Sequence, residues 1–219
     1  MNETNACLAL YLDAPLQSWG YQSRFDRRTT LSYPTRSGLM GLLCAAMGVD
    51  RVDTGELDRL CALRMTVYAL KESGRLMDFH TVGGGYDSKA RSQSIPRTAE
   101  TGKPKGTVVT HREYLQDSRF GVVLTGEPAL IREVGAALED PCWGVWLGRK
   151  PCVPASPIFQ GVFPDPDSAL ARLKEISRCD AVQREVHEVD SFEDGNDTLM
   201  DVPLDFARRR FAPRRVDVG

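Results

Sequence analysis

His111 next to Arg112, with Tyr33 and Lys105 elsewhere in the chain, offers a general base, an acid and a cation, the residue types of metal-independent RNA cleavage by 2′-hydroxyl attack. The 219 residues hold three histidines, and these do not cluster. His80 follows an apolar stretch, as a structural histidine does, and His187 lies between Glu185 and Glu188, on a solvated or ion-paired strand face. The six cysteines are scattered, with no C-x-x-C pair and no histidine at zinc-ligand spacing. They read as reduced, mostly buried thiols. Catalysis therefore ranks behind binding, and neither a metal nor another cofactor is expected.

Residues suited to binding an anion or a base are more numerous. In DAPLQSWG, Gln17 and Trp19 follow a strand, where an amide can read a base edge and an indole can stack on a splayed base. For Trp19 alone a core or interface position is the plainer reading. SYPTRSG sets Arg36 and Ser37 at a helix N-terminus, whose free N–H groups suit a phosphate; the alternative is that Thr35 and Ser37 simply cap the helix. In GVWLGRKPC, Gly148 lets backbone approach a phosphate that Arg149 and Lys150 neutralise. Arg24 stands in a basic loop with Arg27 and Arg28. The glycines at 83–85 match neither a P-loop nor a dinucleotide fingerprint.

The strongest charge signal is internal. From Lys89 to Arg112 six cations, Lys89, Arg91, Arg97, Lys103, Lys105 and Arg112, face the single acid Glu100, although the whole chain carries a net charge of -2. Ser, Thr, Gly and Pro dominate the remainder, so the stretch reads as a solvated excursion. From Glu175 to Asp201 nine acids face Arg178 and Arg184, and Arg208, Arg209, Arg210, Arg214 and Arg215 follow in FARRRFAPRRV. That segregation suggests one surface for a polyanion and another for a protein neighbour, against the plainer reading of two solvated faces.

Positioning these residues takes an ordered scaffold. ACLALYLD reads as a buried strand ended by Pro15; TRSGLMGLLCAAMG as a helix capped by Thr35 and stopped at Gly48; LRMTVYAL as a strand, with ESGR and LMDFHTV continuing it or turning into a hairpin. FGVVLT reads as a strand, and EPALIREVGAALED has the 3.6-residue period of an amphipathic helix. With CWGVWLG as the last strand, the order is that of a ferredoxin-like βαββαβ unit, the basic excursion lying between its second and third strands. A proline-rich linker, the helix ALARLKEI and three alternating strand-like segments follow. No apolar run approaches the roughly 18 residues of a membrane span, and the first residues lack the basic region of a signal peptide, so a cytoplasmic protein is expected.

DAPLQSWG, SYPTRSGLMGLLCAAMG, DFHTV, HREYLQDSRFGVVL and WLGRKPCVPASPIF together resemble, in order, the CasD subunits of type I-E CRISPR Cascade, a family of the repeat-associated (RAMP) superfamily; PTRSGL and LGRKPC are the most specific stretches. The resemblance implies an α+β, RNA-recognition-motif-like palm over residues 1–150, with a β-hairpin thumb near 80–115 and a small antiparallel C-terminal part over 151–219. It further implies a non-catalytic subunit that holds the 5′ handle of the guide RNA and touches the CasC backbone subunit and the large CasA subunit. Target DNA is met only through the assembled complex. Cleavage of the guide precursor, as performed by the type I-C relative, is the alternative.

Overall fold

The computed structural model describes residues 5–21, 26–82 and 108–219. In chain order the elements are β1 (Ala6–Asp13), β2 (Leu16–Gln17), β3 (Arg27–Arg28), α1 (Arg36–Met47), α2 (Thr54–Cys61), β4 (Arg64–Lys71), β5 (Arg75–Val82) and β6 (Val108–Gln116). They continue with β7 (Arg119–Gly126), α3 (Pro128–Glu139), β8 (Phe159–Phe163), α4 (Pro166–Ser177), β9 (Arg184–Glu188), β10 (Asp197–Asp205) and β11 (Arg210–Val218).

A strand with apolar residues at nearly every position must be covered on both faces, and β1 is. Alternate residues point opposite ways along a strand. Leu8, Leu10 and Leu12 enter the main core with residues of α1, α2 and α3, while Cys7, Ala9 and Tyr11 join Ala169 and Leu173 of α4 on the other face. Each leucine buried in this way contributes about 1.5–3 kcal/mol. Helix α1 starts where the sequence predicts, with the Thr35 hydroxyl accepting from the Gly38 N–H, and stops at Gly48 in the left-handed conformation. The α2 helix was not anticipated, although its D-x-x-E start is a capping signal: the Asp53 carboxylate accepts from the Glu56 N–H at 3.0 Å.

The large sheet has the order β10-β11-β9-β4-β7-β1-β8, each pair antiparallel. Its β4-β7-β1-β8 portion, with α1 between β1 and β4 and α3 between β7 and β8, is the ferredoxin-like arrangement in an α+β fold. The fourth strand of that unit is β8, not CWGVWLG. Residues 141–150 form turns and loop, with Trp143 and Gly144 exposed, whereas FQGVF pairs with β1.

Between β4 and β7 the chain leaves the large sheet to build a second one. There β5 and β6 pair antiparallel from Arg75↔Leu115 to Val82↔Val108, β2 pairs with β6 through Leu16↔Gln116, and β3 lies parallel to β6 with Arg27 opposite His111 and Arg28 opposite Arg112. The last three strands widen the large sheet on the β4 side, and Val186, Leu199 and Val216 enter the main core. Among the described residues no helix is long and apolar enough to cross a membrane.

Candidate nucleic-acid interface

Gln17 and Trp19 are fully buried. The Gln17 amide donates to the Leu12 carbonyl at 3.0 Å and the Ser118 carbonyl at 2.7 Å, and its oxygen accepts from the Trp19 indole at 3.1 Å. This pair pins the chain after β1 to the start of β7. The expectation that they read and stack on a base is therefore corrected: neither side chain reaches the surface.

The N-terminus of α1 is likewise occupied from within. The Arg36 N–H donates to Asp201 Oδ2 at 2.7 Å, so a carboxylate of β10 sits where a phosphate was expected. The Arg36 guanidinium is buried against Glu188 and donates to the Cys61 and Leu63 carbonyls at 2.6 and 2.8 Å. Arg214 completes the cluster, gripping Asp201 through two bonds of 2.7 and 3.0 Å and Glu188 at 3.0 Å. Burial pulls the Arg214 guanidinium down, but Asp201 and Glu188 together raise it above its ordinary value. Ser37 is half-buried beside this cluster. Two acids of the 175–201 run and one arginine of the terminal cluster are thus framework. Arg215 is also engaged, stacking at 4.1 Å over Phe192.

Gly148 makes its close approach to protein, not to an anion. Its φ is 104°, and Ser18 donates its N–H to the neighbouring Leu147 carbonyl at 3.0 Å. Arg149 reaches out of this turn, donating to the Glu113 carbonyl at 2.7 Å and the Arg28 carbonyl at 2.9 Å while stacking on Tyr114 at 4.9 Å. It clamps β3 onto β6. Lys150 remains exposed beside the Trp146 ring, 5.8 Å from its centre.

What the second sheet brings together is a basic face that local sequence does not display. Arg27 and Arg28 are exposed on β3 beside β6, whose His111 shares their cleft, while Arg112, the next residue of β6, alternates to the other face and donates its Nε–H to the Thr110 hydroxyl at 3.1 Å. Arg27 and Arg28 line a cleft of about 160 Å³ with Thr29, Met77, His111 and Glu113. Phe79 is 64% exposed and meets the His111 ring edge-on at 5.4 Å. Exposed guanidinium groups beside an exposed aromatic ring are the parts of a single-strand binding surface, cations for phosphates and a π-face for a base. Arg27 and Arg28 stood in the basic loop of the sequence, but only their pairing with β6 marks them. Met77 and Phe79 carried no signal beyond alternation in β5.

Arg24, Lys89, Arg91, Arg97, Lys103 and Lys105 lie outside the described residues. Of the cleavage set, Tyr33 is buried, which pushes its phenol up to about 12, with Asp197 adding to the effect. Such a phenol is a poor proton donor and cannot reach RNA at the surface. Among the described residues no three His, Cys, Asp or Glu side chains are placed to hold a metal ion.

Comparison with known proteins agrees in sequence and in fold. The family described as "CRISPR-associated protein (Cas_Cas5)" matches residues 7–217. The CRISPR system Cascade subunit CasD of Escherichia coli (strain K12) is 33% identical over 183 residues, a match covering 77% of this chain and 77% of that protein. A chain of a solved CRISPR RNA-guided surveillance complex superposes with a TM-score of 0.80 at 33% identity, covering 97% of this chain and 89% of the other. A crystal structure of a Cas protein does so with a TM-score of 0.67 at 30% identity, over 97% and 93% of the two chains.

Proposed function

The chain belongs to the Cas5 family of CRISPR-associated proteins, and from that premise we propose that it is the RNA-binding subunit of a type I-E Cascade that holds the 5′ handle of the guide RNA and caps the backbone of the complex in antiviral defence. The observation that carries this reading is the second sheet, where Arg27, Arg28 and His111 line one cleft and exposed Phe79 meets the His111 ring. Handle phosphates lie along β3 and β6, and Lys150 extends the basic face from the turn that Arg149 clamps.

The thumb lies near residues 80–115, and its cations Lys89, Arg91, Arg97, Lys103 and Lys105 meet the same RNA. The rest of residues 1–150 is the palm, and 151–219 the C-terminal part. CasC and CasA are the neighbouring subunits, target DNA is reached through the whole assembly, and the assembly is cytoplasmic. The subunit binds without cutting, since the buried Tyr33 cannot act as the acid of the cleavage set.

The test is co-purification of the tagged chain with the other subunits, followed by sequencing of bound RNA. Guide RNA with an intact 5′ handle is expected, and the purified chain should leave precursor RNA whole with or without divalent metal. Absence of guide RNA would remove the binding role, and cutting abolished by His111→Ala with binding retained would establish the endoribonuclease.

A further inference from the structure

A second surface is built differently from the RNA face. A groove of about 520 Å³ opens between α1, the loop after α3 and the turn joining β10 to β11. Its floor is Gly41 and Ala45 of α1, its aromatic lining is Trp143, Phe206 and Phe211, and Arg51 and Arg209 line it as well. Trp143 is 48% exposed and Phe211 37%, large apolar areas to leave in water.

Gly41 is informative because its own fold does not demand it. A Cβ there would meet only the tip of Phe206, at 3.7 Å, an ordinary contact, and the residue lies in the interior of a helix, where glycine costs about 1 kcal/mol relative to alanine. A small residue at that cost keeps the floor of the groove open.

Charge and ring geometry specify the occupant. Among the described residues no carboxylate pairs with Arg51 or Arg209. Asp50 also lines the groove, but its carboxylate accepts from the Val52 N–H at 3.2 Å within its own turn, leaving two arginines against one acid. Phe206 and Phe211 meet edge to face, 6.5 Å apart at 71°, and so offer no parallel faces between which a base could stack. Tryptophan, phenylalanine and arginine around a half-buried apolar floor are the composition of a protein–protein anchor site.

We propose that this groove docks a neighbouring protein subunit, which inserts an aromatic or leucine side chain beside Trp143 and Phe211 and sets carboxylates against Arg51 and Arg209. The proposal rests on the reading of the chain as a subunit of an RNA-guided assembly, and it adds where a protein neighbour engages it and through what chemistry.

The test is made on the assembly co-expressed with its guide RNA. A photoreactive p-benzoylphenylalanine at position 143 should cross-link to one protein subunit, at a segment with an apolar residue next to Asp or Glu. Gly41→Met, which fills the floor, and Arg209→Glu, which reverses the rim, should each weaken retention of that subunit at least about tenfold. Guide RNA per tagged chain should stay within about twofold, since neither residue lies on the RNA face. A cross-link to RNA, or full retention of every subunit by both variants, would overturn the proposal. Failure of the unmodified chain to recruit either proteins or RNA would overturn the subunit reading and this inference with it, an outcome distinct from selective retention of RNA.

Discussion

Gly148 and Ser18 are pressed together so closely that a Cβ on the glycine would lie 2.8 Å from the Ser18 carbonyl carbon and overlap its oxygen. With φ at 104° the position is strained for any side chain before that clash is counted. Gly148→Ala should cost about 3–5 kcal/mol in urea denaturation. A cost below about 1 kcal/mol would mean that the turn yields and that Arg149 is not held by it.

Asp201 neutralises Arg214 and caps α1 at once, so its removal leaves a buried guanidinium with one partner carboxylate fewer. Asp201→Ala should destabilise by about 3–5 kcal/mol. Arg209→Ala, at an exposed site, should cost within about 0.5 kcal/mol. Equal effects in parallel thermal melts would show that the buried cluster is no more important to the fold than the surface arginines.

RNA affinity should follow the exposed cations. With about five phosphates neutralised on a single strand, the log–log dependence on salt should have a slope near −3.5 at roughly −0.7 per contact. Arg27→Ala with Arg28→Ala should make the slope shallower by about 1.4 while the melting temperature holds. An unchanged slope in filter binding would move the RNA off β3.

Alkaline pH should unfold the protein in a definite window. Burial, aided by Asp197 and by Glu185 respectively, pushes the Tyr33 and Tyr68 phenols up to about 12, against about 10 in an unfolded chain. Between those values the unfolded chain releases protons that the folded one keeps. Stability is therefore intact below pH 10 and falls as pH rises toward 12. Tyr33→Phe should reduce that decline in pH-dependent melts; an identical decline would show that Tyr33 ionises normally.

Five elements of the ferredoxin-like unit were legible because their signals are local: apolar or β-prone runs in β1, β4 and β7, a cap and a glycine stop around α1, and helical periodicity in α3. The fourth strand was not. FQGVF is a half-buried edge strand with a glycine at its centre and prolines on both sides, which reads as linker, whereas the β-prone residues of CWGVWLG are spent in turns. The site was harder for a related reason. Gln17 is held by Ser118, 101 residues away, and Arg36 by Glu188, 152 away, so their burial leaves no mark on their neighbours in sequence. Arg27 and Arg28 gain their significance from a parallel pairing that no hairpin signal announces.

The outer edge of β4 finds its partner strand, and the guanidinium of Arg36 its carboxylate, only in residues 184–218. On the ribosome those partners are synthesised after the first half of the sheet, with a delay of roughly ten seconds at ordinary elongation rates. During that interval the nascent chain presents an open strand edge and a cation destined for burial, both of which invite mispairing. Chaperone demand should therefore be greatest between emergence of β4 and emergence of β11, and slowing translation across that interval should lower the yield of native protein more than slowing it elsewhere.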